Sequence, residues 1–498
     1  MKKNKRVIIV DFGASNGRVI CAGFNGDKIQ FEEIHRFDNR PVFSSGTLYW
    51  DVLRLYSEMV IGIEKACSHY KSIDSLALDT WGVDFGFIDA RGKLISNPVH
   101  YRDKLRYTME KELYKIVSKK ELFDHCGNFV LPFVSVFQLY ALKFHQASEY
   151  LQGEKYLMMP DIFNYLLTGN PCNEYTEATT SLLCNPRTKS WDKELLNKLG
   201  IPESIFCEVL MPGTVIGPIQ TNVRQEHGFP PIPVTAAASH DTASALAGVP
   251  VTEAEKNWGF LSLGTWAVAG MEAKYPIIND SVMEANLANE GSAAGETFLA
   301  RNITGLWILQ ECREKWERDD GREISWDFIV DSAEKASPHK GFIDVDDPAF
   351  GQVQHDMPET INGFLKKTGQ PAPRGIGETA RIILESLTMK FRDSFTLISN
   401  ETGQQFDLIH LVGGGCQNGL LCQWTANTLG IPVVAGPAET TAMGNALMQF
   451  ISLGEIGSLT EGRKIANDST AVAVYEPQNR TSWEDAYGKY QQYSSYFL

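Results

Sequence analysis

Three apolar runs crowd into the start of the chain, at residues 6–11, 18–24 and 28–35, broken only by short stretches containing Gly and Asn. A parallel crossover needs a dozen or more residues. Gaps this short predict an antiparallel meander instead.

The pattern then changes period. Residues 51–67 are amphipathic, strands are expected at 75–79 and 83–89, and helical patterns follow at 103–118, 135–147 and 160–167. A proline cluster at 229–233 suits neither a helix nor a central strand. It leads into an apolar run, 234–238, that ends at Ser239-His240-Asp241. The second half restarts with a hairpin over 258–271 around Gly264-Thr265, a helix over 304–316 and a long amphipathic stretch, 378–399. Strand 408–412, a glycine turn, helix 419–429 and strand 431–435 make a βαβ unit. Residues 483–498 read as a terminal helix. The 498 residues exceed one ordinary core, and a boundary near 248–255 divides them into domains 1–248 and 249–498.

The formal net charge of −15 excludes nucleic-acid binding through a general positive field. An anionic ligand must instead be held locally, by backbone N–H groups, helix N-termini or a bound cation. No apolar run reaches the ~18 residues of a membrane span. The basic start, Met1 to Arg6, is followed by a short strand rather than an apolar signal segment, so a cytoplasmic location is expected. Nine cysteines without a C-x-x-C pair predict reduced, mostly buried thiols rather than a zinc site.

Four segments can carry chemistry. In Asp11-Phe12-Gly13-Ala14-Ser15-Asn16-Gly17-Arg18 an acidic residue closes a strand, and a small-residue turn leads into another. Backbone amides of such a turn can approach a phosphate, and Asp11 would face it and hold Mg2+ through water. An ordinary hairpin is the bland alternative. The same segment matches G-x-S-x-G, which makes a serine hydrolase using Ser15 the rival enzyme. A nucleophile elbow needs a helix straight after the serine, however, and residues 18–22 continue as a strand. In the second segment, Asp241 ends a strand and small residues open a helix. It would accept a proton from an attacking hydroxyl, or simply cap the helix. The third is the Gly264-Thr265 turn, where Thr265 can bond a phosphate oxygen. The fourth, residues 412–419, fails the dinucleotide fingerprint because position 418 is Asn, yet its flat glycine turn suits an adenine or ribose. No Walker A lysine motif is present.

Together these segments, with Asp79-Thr80-Trp81-Gly82-Val83-Asp84-Phe85, Tyr101-Arg102-Asp103, Met159-Pro160-Asp161, Asn289-Glu290-Gly291, Asn302-Ile303-Thr304-Gly305-Leu306-Trp307 and Gly436-Pro437-Ala438-Glu439, resemble the FGGY carbohydrate kinases over nearly the whole chain. The resemblance implies an α/β fold of two ribonuclease-H-like (actin/hexokinase-type) domains with an active-site cleft between them. It implies that Asp241 is the catalytic base and that Gly82, His240, Thr242 and Asn302 meet the sugar. Ala14, Ser15, Asn16, Gly17 and Arg18 would take the phosphate-loop role, with Thr265, Gln310 and Gly414 lining the ATP site. The implied partners are ATP, Mg2+ and a small sugar. The implied reaction is phosphorylation of the 1-hydroxyl of a 6-deoxy-ketohexose, L-rhamnulose first and L-fuculose as the alternative. A two-domain ATP clamp without sugar kinase activity ranks lower, since His240-Asp241-Thr242 with Asn302 is a sugar-side constellation.

Overall fold

The computed structural model describes residues 4–252, 254–351 and 356–494. The chain packs into two compact units that interleave along the sequence. The first comprises Met1–Thr252, Glu272–Leu299 and Thr440–Thr470; the second comprises Glu253–Met271, Ala300–Glu439 and Ala471–Leu498. The chain therefore passes between units at more places than the single boundary expected near 248–255.

The first unit is built on a six-stranded sheet in the order Thr214–Pro218, Pro233–Ala236, Ser75–Thr80, Lys5–Phe12, Asn16–Phe24, Ile29–Asp38. The last three form the antiparallel meander that the short gaps require. Helix Val52–His69, capped by Asp51 through the N–H of Arg54, is the crossover that returns the chain beside the first strand. Ser75–Thr80 then pairs parallel to Lys5–Phe12, which sets Asp11 opposite Asp79. Alternation sorts the first strand's side chains to two faces. Ile8, Val10 and Phe12 pack with Leu55, Met59 and Ile63 of the crossover helix. Val7 and Ile9 pack on the other face with Ala442, Met443 and Ala446 of helix Thr440–Ser452. The proline cluster does border a central strand, Pro233–Ala236. Pro233 is its first residue, where the missing N–H costs least.

The second unit repeats the logic. Its strands belong to a seven-stranded sheet and include the run Thr297–Thr304, Trp266–Ala273, Trp258–Leu263, Leu408–Val412, Val433–Ala435, Ala473–Tyr475. A tight antiparallel hairpin comes first, and a strand parallel to its first arm places Ser262 opposite Val412. Helix Gly419–Leu429 and strand Val433–Ala435 complete the expected βαβ unit, parallel with Leu411 opposite Ala435. The other helical expectations differ mainly at their ends. Residues 103–118 hold two short helices, Lys104–Tyr107 and Glu110–Leu113, rather than one. The terminal helix is Arg480–Ser494, and 495–498 lie outside the described residues. All nine cysteines are free thiols, seven of them buried. Among the described residues no helix is long and apolar enough to cross a membrane.

Candidate active site

Asp241 is the first residue of helix Asp241–Ala247, with His240 at the N-cap position. Its carboxylate is therefore not spent on capping, contrary to the bland expectation. Thr242 Oγ1 donates to Asp241 Oδ1 at 3.1 Å, and 35% of the Asp241 side chain is open to solvent. Burial of its carboxyl raises its pKa; the His240 charge pulls the other way, and the Asp11 charge adds to the rise.

His240 lies between two carboxylates. Its Nε2 is 3.6 Å from Asp241 Oδ1 and its Nδ1 is 3.3 Å from Glu290 Oε2. Burial alone would lower the imidazole pKa, but Glu290, then Asp241 and Glu174, more than offset it and hold it at about 9. The ring is thus an imidazolium at neutral pH. Glu290 appeared in the sequence only inside the Asn289-Glu290-Gly291 segment, and no role was expected of it.

The backbone that presents these side chains is fixed by a second buried acid. Glu174 Oε2 accepts from Thr176 Oγ1 at 2.6 Å, from Glu177 N at 3.0 Å and from Ser239 N at 3.3 Å. Thr176 Oγ1 in turn accepts from His240 N at 3.1 Å. Burial raises the Glu174 pKa to about 7. Nothing in the local sequence marks Glu174 as a support of the site, because the Ser239 backbone it holds lies 65 residues away.

Gly82 sits in the loop after Ser75–Thr80, and a Cβ there would lie 3.0 Å from the Thr180 side chain. The next residue, Val83, has φ +67°, a strained conformation for a β-branched residue. It persists because both its backbone groups are clamped. Val83 N donates to Thr180 Oγ1 at 2.9 Å, and Val83 O accepts from Ser135 Oγ at 2.6 Å. Asp84 anchors this loop. It accepts from Trp50 Nε1 at 2.6 Å and Trp81 Nε1 at 2.9 Å and pairs with Arg106, both partners fully buried. The rings of Trp50 and Trp81 lie 4.0 Å apart, so Trp81 is a core aromatic.

In the phosphate-loop segment, Phe12 pairs with Gly17 across the hairpin, leaving Gly13 to Asn16 as the turn. Asn39 holds this turn by its carbonyls: Asn39 N donates to Ser15 O at 3.0 Å and Asn39 Nδ2 to Gly13 O at 2.8 Å. Ala14, Ser15 and Asn16 are exposed, so the amide side of the turn can meet an anion. Gly17 has a packing reason to be glycine, since a Cβ would come within 2.3 Å of the Phe37 ring. Asn16–Phe24 continues as a strand, which removes the geometry of a nucleophile elbow. Arg18 pairs with Asp11 directly across the hairpin. Asp79 behind them is fully buried; burial and then the Asp11 charge hold its pKa well above the usual carboxylate range, while Asn445 Nδ2 donates to it at 2.6 Å.

Helix Thr440–Ser452 supplies Asn445 and crosses helix Asp241–Ala247 at very close range. A Cβ on Gly444 would lie 1.8 Å from Ser244 O, and one on Gly248 2.2 Å from Thr440 O. The contact locks the helix that begins at Asp241.

The second unit gathers Thr265, Gln310 and Gly414. Thr265 Oγ1 is 3.4 Å from Gln310 Oε1. Thr265 O accepts from Gly305 N at 3.1 Å and Trp307 N at 3.2 Å, which ties the hairpin turn to the start of helix Trp307–Asp320. Gly413 has φ +79°, and a Cβ on Gly415 would come within 2.4 Å of Leu263, so the glycine turn lies against the hairpin. Gly414 is exposed with open space where a Cβ would stand. Asn302, half-buried on strand Thr297–Thr304, also belongs to this unit.

Oxygen donors such as Asp11 suit Mg2+. Among the described residues no group of three or more His, Cys, Asp or Glu side chains converges to cage a metal. A divalent ion at Asp11 would therefore complete its shell with water and substrate oxygens, which fits an ion delivered with a nucleotide.

Residues 6–248 match the model of the N-terminal domain of the FGGY family of carbohydrate kinases, and residues 259–453 match that of its C-terminal domain. A rhamnulokinase of Bacteroides thetaiotaomicron is 36% identical over 487 residues, covering 98% of each chain. A rhamnulokinase of Halalkalibacterium halodurans is 36% identical, covering 95% of this chain and 99% of its own. In fold, the chain is similar to a ligand-bound xylulose kinase of Lactobacillus acidophilus, with a TM-score of 0.81 at 17% identity, covering 98% of this chain and 97% of that one.

Proposed function

The chain belongs to the FGGY family of carbohydrate kinases, and on that premise we propose that it transfers the γ-phosphate of ATP to the 1-hydroxyl of L-rhamnulose. The substrate rests on the rhamnulokinase relatives that match nearly end to end. The observation that carries the chemistry is the uncapped Asp241 carboxylate beside the His240–Glu290 pair.

In this reading the sugar hydroxyl oxygen attacks the γ-phosphorus, its proton passes to an Asp241 carboxylate oxygen, and the bond to the β-phosphate oxygen breaks to release ADP. A raised pKa makes Asp241 a stronger base than an exposed aspartate. His240, held as an imidazolium, donates toward a sugar oxygen, as Thr242 and the clamped backbone at Gly82 also would. Asn302 would bond a further sugar hydroxyl. Backbone N–H groups from Ala14 to Gly17, with Arg18, take charge on the transferred phosphate. Thr265, Gln310 and Gly414 line the nucleotide. Asp11 would hold Mg2+ through water, and the ion would supply positive charge against the phosphates. Residues 1–248 would thus carry most of the acceptor side, and 249–498 the adenosine side together with Glu290 and Asn302.

A coupled ADP-release assay with Mg-ATP against L-rhamnulose, L-fuculose, L-ribulose, D-xylulose and glycerol tests this directly. Strong preference for L-rhamnulose is expected. Preference for another ketose would overturn the substrate, and no sugar-stimulated ADP release would overturn the mechanism.

A further inference from the structure

We propose that the second unit carries a separate binding site for a small phosphate monoester of sugar size, in a cavity at the start of helix Arg480–Ser494. The cavity is an open cleft of about 600 Å³ lined by His339, Arg381, Trp424, Asn427, the exposed Arg480 and Trp483, with Pro338 and residues 479–482 completing it. It lies away from the nucleotide-side glycines. Gly414 precedes helix Gly419–Leu429, whereas Asn427 is near that helix's far end, a rise of ~12 Å from residue 419.

The chain is strongly acidic, yet no aspartate or glutamate lines this cavity and two arginines do. Arg381 is held rigidly. Its Nε donates to Glu385 at 2.7 Å, and its Nη1 reaches the carbonyls of Ala333, Glu334 and Ala336 at 3.2, 3.0 and 2.9 Å. Its guanidinium also lies 4.5 Å over the Trp424 ring. Nη2 is left without a protein partner among the described residues. Fully buried Glu385 already balances Arg381. The net charge at the cavity is therefore that of Arg480, which makes no ion pair among the described residues.

Two tryptophans also line the cavity. Trp424 and Trp483 are only 6% and 4% exposed, and neither indole N–H makes a protein hydrogen bond among the described residues. The first turn of a 15-residue helix, at Arg480 and Thr481, adds backbone amides and a positive dipole end. Arginine, indole and amide donors with no carboxylate favour an anion, and a guanidinium pairs strongly with phosphate oxygens. The two tryptophan rings, 6.0 Å apart, give an apolar wall on which a sugar face can rest, and the volume exceeds what inorganic phosphate alone would fill.

Isothermal titration on the full chain, with Mg-ADP present to occupy the nucleotide site, tests the assignment using D-glucose 6-phosphate and inorganic phosphate as probes. The expected result is a Kd below about 1 mM for the monoester, weaker binding of inorganic phosphate, and at least about tenfold loss in Arg480→Ala. Arg480→Ala should keep wild-type kinase activity, which certifies its fold. No heat with either probe, or equal monoester affinity in Arg480→Ala, would overturn the site. Equal binding of inorganic phosphate would overturn its assignment to a monoester.

Discussion

His240 Nδ1 lies 3.3 Å from Glu290 Oε2, and this contact is the largest of those that hold charge on the ring beside Asp241. With Glu290 and Asp241 facing it, the imidazole pKa stands at about 9, above its ordinary 6.5. The stabilisation is fully present below about 6.5, where the unfolded histidine is also protonated, and is lost as pH rises through about 9. Glu290→Gln should lower the pKa and pull the alkaline limb of kcat/KM for sugar toward neutrality by about one unit or more. A pH–rate profile of both proteins checks this; superimposable alkaline limbs would remove His240 from substrate binding.

Asp241→Asn removes the proton acceptor but keeps shape and the contact with Thr242. Turnover should fall by about 10²–10⁴-fold with little change in KM for ATP. Ser15→Ala should leave most activity, because that turn acts through its backbone. Steady-state kinetics of the two variants side by side separate base catalysis from a serine nucleophile.

Arg106→Met strands Asp84 as a fully buried charge. Breaking such a pair costs about 3–5 kcal/mol, so the denaturation midpoint should drop sharply. Asp84 also anchors the loop of Gly82 and the strained Val83. KM for sugar should therefore rise more than KM for ATP in whatever folded fraction remains. A midpoint within error of wild type would show that the pair does not hold the loop.

Gly444→Ala tests the helix crossing. Its Cβ would stand 1.8 Å from Ser244 O, a backbone atom that cannot turn aside. Overpacking of this kind costs about 1–3 kcal/mol, and here it displaces the helix starting at Asp241. A fall in kcat and in melting temperature together is expected. Gly454→Ala, at a glycine with φ +72° and open space, is a control for general strain and should keep kcat.

Much of this was legible in local pattern. The short gaps of the first three strands forced a meander, and the strand–glycine turn–helix signal at 408–429 gave a helix with the expected ends. Asp241, Thr242 and the turn of Ala14 to Gly17 stood out because strand ends followed by small residues are local features. Glu174, Glu290, Arg106 and Asn445 did not stand out as site residues. Each acts on a partner between about twenty and several hundred residues away, Asn445 on Asp79 being 366 apart.

The sequence by itself determined most of the elements, the turn chemistry and the candidacy of Asp241 as proton acceptor, since periodicity, glycine placement and residue type act over a few neighbours. Only the tertiary structure decided the state of the groups around Asp241. A carboxyl's pKa, a histidine's charge and the strain at Val83 depend on burial and on charges brought in by distant segments, including 440–470, which returns to the first unit to pack helix against helix at Gly444.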